Sequence, residues 1–143
     1  MKLTVAWIGK TRQPAVQALS ADYLKRLVRY LPANGLGLAS EAALLKHAEK
    51  TRATLVLLDA RGKQLSSEQL ADFLKEQQER GTGLLLFAVG AADGFSDAAR
   101  RRAALQLSLG KMTLAHELAR VVLLEQLYRG FTILQGHPYH LGH

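Results

Sequence analysis

The last third of the chain, residues 105–143, limits the fold more than any other stretch: LQLSLGKMTLAHELARVVLLEQLYRGFTILQGHPYHLGH. It holds a short apolar run, a Gly-Lys-Met-Thr loop, one long helical segment and a histidine-rich tail. The helix is expected from about Ala115 to Gln135, because no Pro interrupts it and Gly136 followed by Pro138 supplies a stop. Around a helical wheel, Leu118, Val121, Val122, Leu123, Leu124, Leu127, Tyr128, Phe131, Ile133 and Leu134 leave no wholly polar face. A helix apolar all round is buried on most sides. In so small a chain one side needs the domain's own sheet and another needs a further apolar surface, most simply a second copy of the same helix. A homodimer is therefore expected.

At 143 residues and 48% hydrophobic, the chain suits a single domain, 1–143, with a substantial core. The absence of Cys excludes disulfides and thiolate chemistry and fits a reducing compartment. The opening MKLTVAWIGK has too short an apolar run for a signal peptide, and no stretch approaches the ~20 apolar residues of a membrane span. A cytoplasmic, membrane-free protein is the expectation. The net charge of +7 is unevenly spread: residues 1–30 carry +5, residues 31–99 carry −2 and residues 100–143 carry +4. Brought together by the fold, the two basic ends would form a positive surface suited to a polyanion such as RNA. Ordinary solvated Lys and Arg are the alternative.

Leu3 to Ile8 reads as a strand buried on both faces. Pro14 opens a helix along which Ala15, Leu19, Tyr23, Leu27 and Tyr30 recur, with Lys25, Arg26 and Arg29 on its surface. Residues 31–35 read as a turn and Leu36 to Leu38 as a weak strand. Ser40 caps a helix from Glu41 to about Lys50. Thr54 to Leu58 is a buried strand ending in Asp59, followed by a loop at 60–63. Ser66 and Gln69 have capping-box spacing at the head of a helix reaching about Arg80. Gly83 to Val89 is a strand running into Gly90-Ala91-Ala92-Asp93-Gly94. Ser96 caps a short helix with Arg100, Arg101 and Arg102, and Leu105 to Leu109 is the last strand. The alternation implies an open, mostly parallel α/β sheet flanked by helices with right-handed crossovers. Ligands in such sheets sit beyond the carboxyl ends of the strands, so three loops qualify: after Leu58, at Gly90, and from Gly110 to Thr113.

Gly90 and Gly94 would let main chain approach a ligand, but the spacing is not GxGxxG and no Walker lysine follows, which counts against dinucleotide and NTP binding. His137, His140 and His143 have no thiolate or clear carboxylate partner, so no metal is expected. Glu125 and Arg129 lie four apart on an apolar arc with Leu118, Val121 and Val122. Partly buried there, they either order a functional group or form a structural or interface ion pair. His116 and Arg120 form a patch on the opposite arc. His116 either caps the helix start or acts beside the glycine loop.

VGAADGFS from Val89, LSLGKMTLAHELARVVLLEQLYR from Leu107, and GHPYH from Gly136 resemble the small SPOUT-class methyltransferases that modify N3 of a pseudouridine in bacterial 23S ribosomal RNA. The likeness spans the chain and is densest after residue 83. It implies an SPOUT-type α/β knot, in which the C-terminal segment threads a loop as a trefoil, and S-adenosylmethionine as methyl donor. By position, Leu58, Gly90, Leu109, Gly110, Lys111, Met112, Thr113 and Leu114 would hold that cofactor, and two subunits would pair across the knot helices. Catalytic positions implied are Arg129, Tyr139, His140, Glu125 and His116. The base is left open among His140, Tyr139, His137, His116 and water. Arg129 would stabilise the developing anion or hold a phosphate, with Glu125 orienting it, and the tail would come from the partner or close over the site. Lys25, Arg26, Arg29 and His137 would contact RNA, in free rRNA or an assembled ribosomal particle. Three features depart from the pattern: Ala91 replaces a usual glycine, the segment between Leu38 and Thr54 is short, and Leu141 stands where a basic residue is common. Those departures leave a non-catalytic dimeric RNA- or ribosome-binding module as the rival reading. The basic ends and missing phosphate motif count against a third, a small-molecule nucleotide-binding enzyme.

Overall fold

The computed structural model describes residues 1–141; Gly142 and His143 lie outside the described residues. Five strands, β1 (Lys2–Ile8), β2 (Ala33–Leu38), β3 (Thr54–Gln64), β4 (Leu84–Val89) and β5 (Leu105–Ser108), form one sheet in the order β2-β1-β4-β3-β5 with every pairing parallel. Between them run α1 (Pro14–Leu27), α2 (Glu41–Thr51), α3 (Ser67–Glu79) and α4 (Asp97–Arg102), and α5 (His116–Leu134) follows β5. A 3-10 turn, Pro138–Leu141, ends the described chain.

The crossovers from β1 to β2 and from β3 to β4 step one way across the sheet, and those from β2 to β3 and from β4 to β5 step the other. Right-handedness therefore puts α1 and α3 on one face and α2 and α4 on the opposite one. The two buried clusters follow this division. Leu27, Leu70 and Leu74 pack with Leu123, Leu124, Leu127 and Phe131 of α5 on the first face, and Leu44, Ala48 and Ala99 pack on the second. α5 lies between α1 and α3, across β1 and β4. Covered on both sides, the central strands can be apolar throughout, as LLLFAV in β4 is.

The helix starts follow the sequence cues. Ser40 Oγ accepts from Ala43 N–H at 3.1 Å, and Ser96 Oγ accepts from Ala99 N–H at 3.3 Å. Ser66 and Gln69 close the capping box, with bonds of 3.0 and 2.8 Å. α1 has no side-chain cap of its own. Instead Glu117 reaches from the first turn of α5, and its Oε1 accepts from the N–H groups of Arg12 and Gln13 at 3.0 and 3.1 Å. A carboxylate satisfies orphan donors and meets the positive end of the helix dipole there.

Two segments differ from the sequence reading. Residues 33–35 are strand rather than turn, the turn falling at 28–31. The cause is Trp7, whose indole lies over β2: a Cβ on Gly35 would sit 2.9 Å from Trp7 Cζ3, so glycine marks a close approach, not a bend. β3 also continues beyond Leu58. Leu58 and Lys63 both lie opposite Leu107, so residues 59–62 bow out and Lys63 and Gln64 rejoin β5. At that bow the main chains meet, since a Cβ on Gly62 would lie 2.6 Å from Gln106 C and O. Backbone cannot yield as a side-chain tip does. Gly62→Ala should therefore destabilise the protein by about 1–3 kcal/mol in denaturant melts, whereas Gly83→Ala, with nothing within 4 Å of its added Cβ, should be near neutral; equal effects would contradict this crossing.

Candidate active site

Beyond the carboxyl ends of β3, β4 and β5 lies a hollow of about 320 Å³, within the size range of ligand pockets. Seven of the eight positions expected to hold a cofactor line it: Leu58, Gly90, Leu109, Gly110, Met112, Thr113 and Leu114. Lys111 is exposed and not on its wall. His116 lines the hollow at the head of α5, and Ala91 lines it too. Gly90 is packed against Phe95, which a Cβ would approach to 3.1 Å. Gly110 has φ of 136°, a conformation that favours glycine. Ser108, itself buried, holds that turn by accepting from Gly110 N–H at 3.2 Å and donating to Gly110 C=O at 3.0 Å.

From 111 to 114 the main chain makes no hydrogen bond among the described residues, and Met112 is 87% exposed. Exposed donors and acceptors beside the apolar side chains of Leu58, Leu107 and Leu109 suit a ligand with a flat apolar part and polar edges. S-adenosylmethionine, with its adenine and its charged amino-acid end, has that character. The residues present therefore fit the group that the resemblance implied.

Among the lining residues that the sequence reading missed are Asp59, Arg61 and Arg100. Asp59 Oδ2 accepts from Arg100 Nε at 2.6 Å and its Oδ1 from Arg61 N–H at 2.9 Å. Burial pushes the Asp59 carboxyl up, but the hydrogen bond and charge of Arg100, with help from Arg61, more than offset this and hold it below the usual carboxylate range. Both oxygens are engaged, so Asp59 shapes the wall and is no free base. A carboxylate at a strand end was visible in the sequence; its partner forty-one residues away was not.

The remaining catalytic candidates gather elsewhere. Arg129 Nε and Nη2 lie 2.8 and 2.7 Å from Glu125 Oε1. The Arg129 guanidinium sits 5.0 Å from the Tyr139 ring centroid, and Nη1 donates to His140 C=O at 3.3 Å. Tyr139 meets Tyr128 edge-on at 4.7 Å. Burial, then hydrogen bonding with Tyr23, pushes the Tyr139 phenol up to about 12. His137 is exposed, its Nδ1 accepting from Tyr139 N–H at 3.2 Å. His143 lies outside the described residues. Within one chain this cluster is not on the hollow: His116 and Arg129 are separated by about 20 Å along the α5 axis and about 220° around it.

α1 and α5 pack side by side, so the two basic ends of the chain do meet. Lys25 is exposed on α1 and Arg29 is exposed in the turn that follows it, not on the helix as expected, whereas Arg26 pairs with Asp22 at 3.2 Å and lies 5.6 Å from the Tyr128 ring centroid, inside the tail cluster. Arg100 to Arg102 do not join them. α4 is on the opposite face, where Arg100 is paired and Arg102 Nη2 donates to Ala53 C=O at 3.2 Å. The basic surface is thus smaller than the charge sum suggests.

A sequence-family profile described as "Predicted SPOUT methyltransferase" matches residues 1–140. A curated relative from Koribacter versatilis (strain Ellin345), named ribosomal RNA large subunit methyltransferase H, is 56% identical over 146 residues covering 100% of both chains. One of the same name from Geobacter sp. (strain M21) is 43% identical, with 98% of this chain and 99% of the relative covered. The chain belongs to the SPOUT methyltransferase family. Among solved structures, the SpoU methyltransferase AviRb from Streptomyces viridochromogenes, in complex with AdoMet, superposes with a TM-score of 0.56 at 16% identity. Its match takes in 90% of this chain and 57% of that one. The putative methyltransferase Lpg2936 from Legionella pneumophila, bound to SAM, gives 0.51 at 15% identity, covering 89% of this chain and 65% of that one. These likenesses speak to the fold. Among the described residues of this SPOUT chain, no helix is long and apolar enough to cross a membrane and no cluster of three or more His, Cys, Asp or Glu is set to hold a metal.

The Asp59 contacts make stability depend on pH. A carboxyl whose folded pKa lies below its unfolded value stabilises the fold above the unfolded value, about 4, and loses that contribution as pH falls through the folded one. Asp59→Asn should cost about 1–3 kcal/mol at pH 7, and the gap between the two proteins should shrink below about pH 4. A gap that stays constant from pH 7 to pH 2.5 would contradict the assignment.

Proposed function

We propose that two copies of this chain act together to transfer a methyl group from S-adenosylmethionine to ribosomal RNA of the large subunit, at N3 of a pseudouridine. The observation that carries this reading is the hollow at the ends of β3, β4 and β5, lined at seven of the eight expected positions. The full-length relatives bearing an rRNA methyltransferase name support the substrate class. The same reading takes the chain as one domain acting in the cytoplasm, with the knot that the resemblance implies.

When bound, S-adenosylmethionine supplies an electrophilic methyl carbon on a sulfonium. The protein has to hold the base in line with it and take the imide proton from N3. Leu58, Leu109 and Leu114 would wall the donor, and the main chain of 110–114 would offer hydrogen bonds to its polar edges. Tyr139, with a pKa near 12, keeps its proton at neutral pH and serves as a neutral ring and donor. His116, His140, His137 or a water takes the proton. Arg129, fixed by Glu125, faces the negative charge that develops on the base or a phosphate beside it.

Since Arg129 and His116 are about 20 Å apart on one helix, the Arg129 cluster of one copy serves the hollow of its partner. Leu118, 54% exposed, and Val122 leave an apolar strip on α5 between these two positions, a surface suited to pairing. Lys25 and Arg29 contact phosphates, an interaction that weakens with salt.

Calorimetry tests the first step: saturable binding of S-adenosylmethionine is expected, and no detectable affinity would reject the reading in favour of a non-catalytic RNA-binding module. Deleting Pro138 to His143 should abolish methyl transfer while changing donor affinity by less than about three-fold; equal loss of both would put the tail in the donor site instead. Arg129→Ala should lower kcat by about a hundred-fold or more at a nearly unchanged melting temperature. If the variant simply unfolds, the ion pair is structural.

A further inference from the structure

A second cavity, of about 790 Å³, opens at the carboxyl ends of β1 and β2, beside α1. It is separate from the hollow above. The first turn of α5 stands between them, with His116 and Ala119 on the hollow side and Arg120 on the other. The cavity exists because side chains are missing: Gly35 and Gly37 give the Trp7 indole room over β2, where Cβ atoms would lie 2.9 Å and 3.1 Å from it. Ala21 and Leu24 of α1 line the space as well.

Two polar atoms of residues lining this apolar space, Arg120 Nε and Ser20 Oγ, have no hydrogen-bond partner among the described residues. Arg120 is 2% exposed, stacked 4.0 Å from the Trp7 ring centroid, and its Nη2 donates to Thr11 Oγ1 at 2.7 Å. Its Nε–H finds no acceptor among the described residues. Glu117 is 4.0 Å from Nη2 and already accepts two main-chain N–H groups. Ser20, 5% exposed, has an equally unpartnered hydroxyl. A buried guanidinium with one unpartnered N–H, whose paired carboxylate is 4.0 Å away and already engaged, on the same cavity as an unpartnered hydroxyl, is a costly arrangement unless something binds there. Lys10 lines the same cavity. The complement of such a space is a flat, partly apolar group with carbonyl acceptors and a negative charge, which describes a nucleotide.

We propose that this cavity receives a second nucleotide of the RNA, next to the one that is methylated, with the base carbonyl edge on Arg120 Nε and Ser20 Oγ and the phosphate toward Lys10. The proposal rests on the methyltransferase reading for the source of the nucleotide, though not for the chemistry that recognises it. Arg120 and His116 are one helical turn apart on α5. One strand of RNA can therefore meet both spaces, and Arg120 is a binding residue rather than a catalytic one.

Trp7 is the only tryptophan, so its emission reports occupancy directly. Titration of the whole protein with uridine 5′-monophosphate and with a five-residue oligouridylate, with and without S-adenosylmethionine, should give saturable change in Trp7 emission, tighter for the oligonucleotide. Ala21→Phe, which places a ring in the space, should weaken it about ten-fold or more. Ser20→Val, which removes one hydrogen bond, should weaken it about three- to ten-fold and keeps the test decisive if the larger substitution disturbs folding. No saturable change with either probe, or changes undiminished in both variants, would overturn the proposal. So would emission that shifts with protein concentration alone, because a second copy would then fill the cavity. Saturable quenching in a protein that binds no S-adenosylmethionine would support the cavity and count against methyl transfer only.

Discussion

Everything in this fold is arranged around the burial of α5 against one face of the sheet. Leu123, Leu124, Leu127 and Phe131 are essentially inaccessible there, and each such side chain contributes about 1.5–3 kcal/mol relative to exposure. That packing fixes the rotation of the helix. With those four facing β1 and β4, His116 must line the hollow at the ends of β3, β4 and β5, Arg120 must point beneath α1, and Glu125 and Arg129 must emerge beside α1 and the tail. Glu117 locks the same rotation from the other end by capping α1. Three chemically different environments thus follow from one helix being seated one way.

The consequence for function is a division of labour along α5. Its first turn separates two spaces at the carboxyl edge of the sheet, one walled by main chain and apolar residues, the other holding an under-neutralised guanidinium. Its last turns carry an ion pair with its guanidinium against a tyrosine ring. In the proposed reading no single chain assembles a complete reaction chamber, and the exposed Leu118 and Val122 are what let two chains do so.

Much of this was legible from residues alone where the cause is local. Ser66 with Gln69, Ser40 and Ser96 announced helix starts, because a capping bond spans only three residues. β1 and β4 were plain as apolar runs, since strands covered on both faces need no alternation. Of the eight cofactor positions implied by the residues resembling SPOUT enzymes, all but Lys111 line one hollow. What stayed hidden depends on contacts between distant segments. Gly35 reads as part of a turn until Trp7 is seen lying over it, and β3 stops at Leu58 until Lys63 is found rejoined to β5. Asp59 has no visible partner without Arg100, and charge alone does not show that Arg102 is spent on the Ala53 carbonyl. The cavity beside Arg120 has no signature in the sequence at all, being made of absent side chains.

Mixing two inactive variants probes the shared chamber most directly. Gly110→Val spoils the donor hollow of its own copy, and Arg129→Ala spoils the cluster offered to the partner. Each alone should be nearly inactive. Exchanged one to one into mixed dimers, they should recover about a quarter of wild-type methyl transfer, because about half the dimers are mixed and each of those has one intact chamber of two. If the mixture stays as inactive as either parent while subunit exchange is demonstrated, each chain completes its own site and the chamber is not shared between copies.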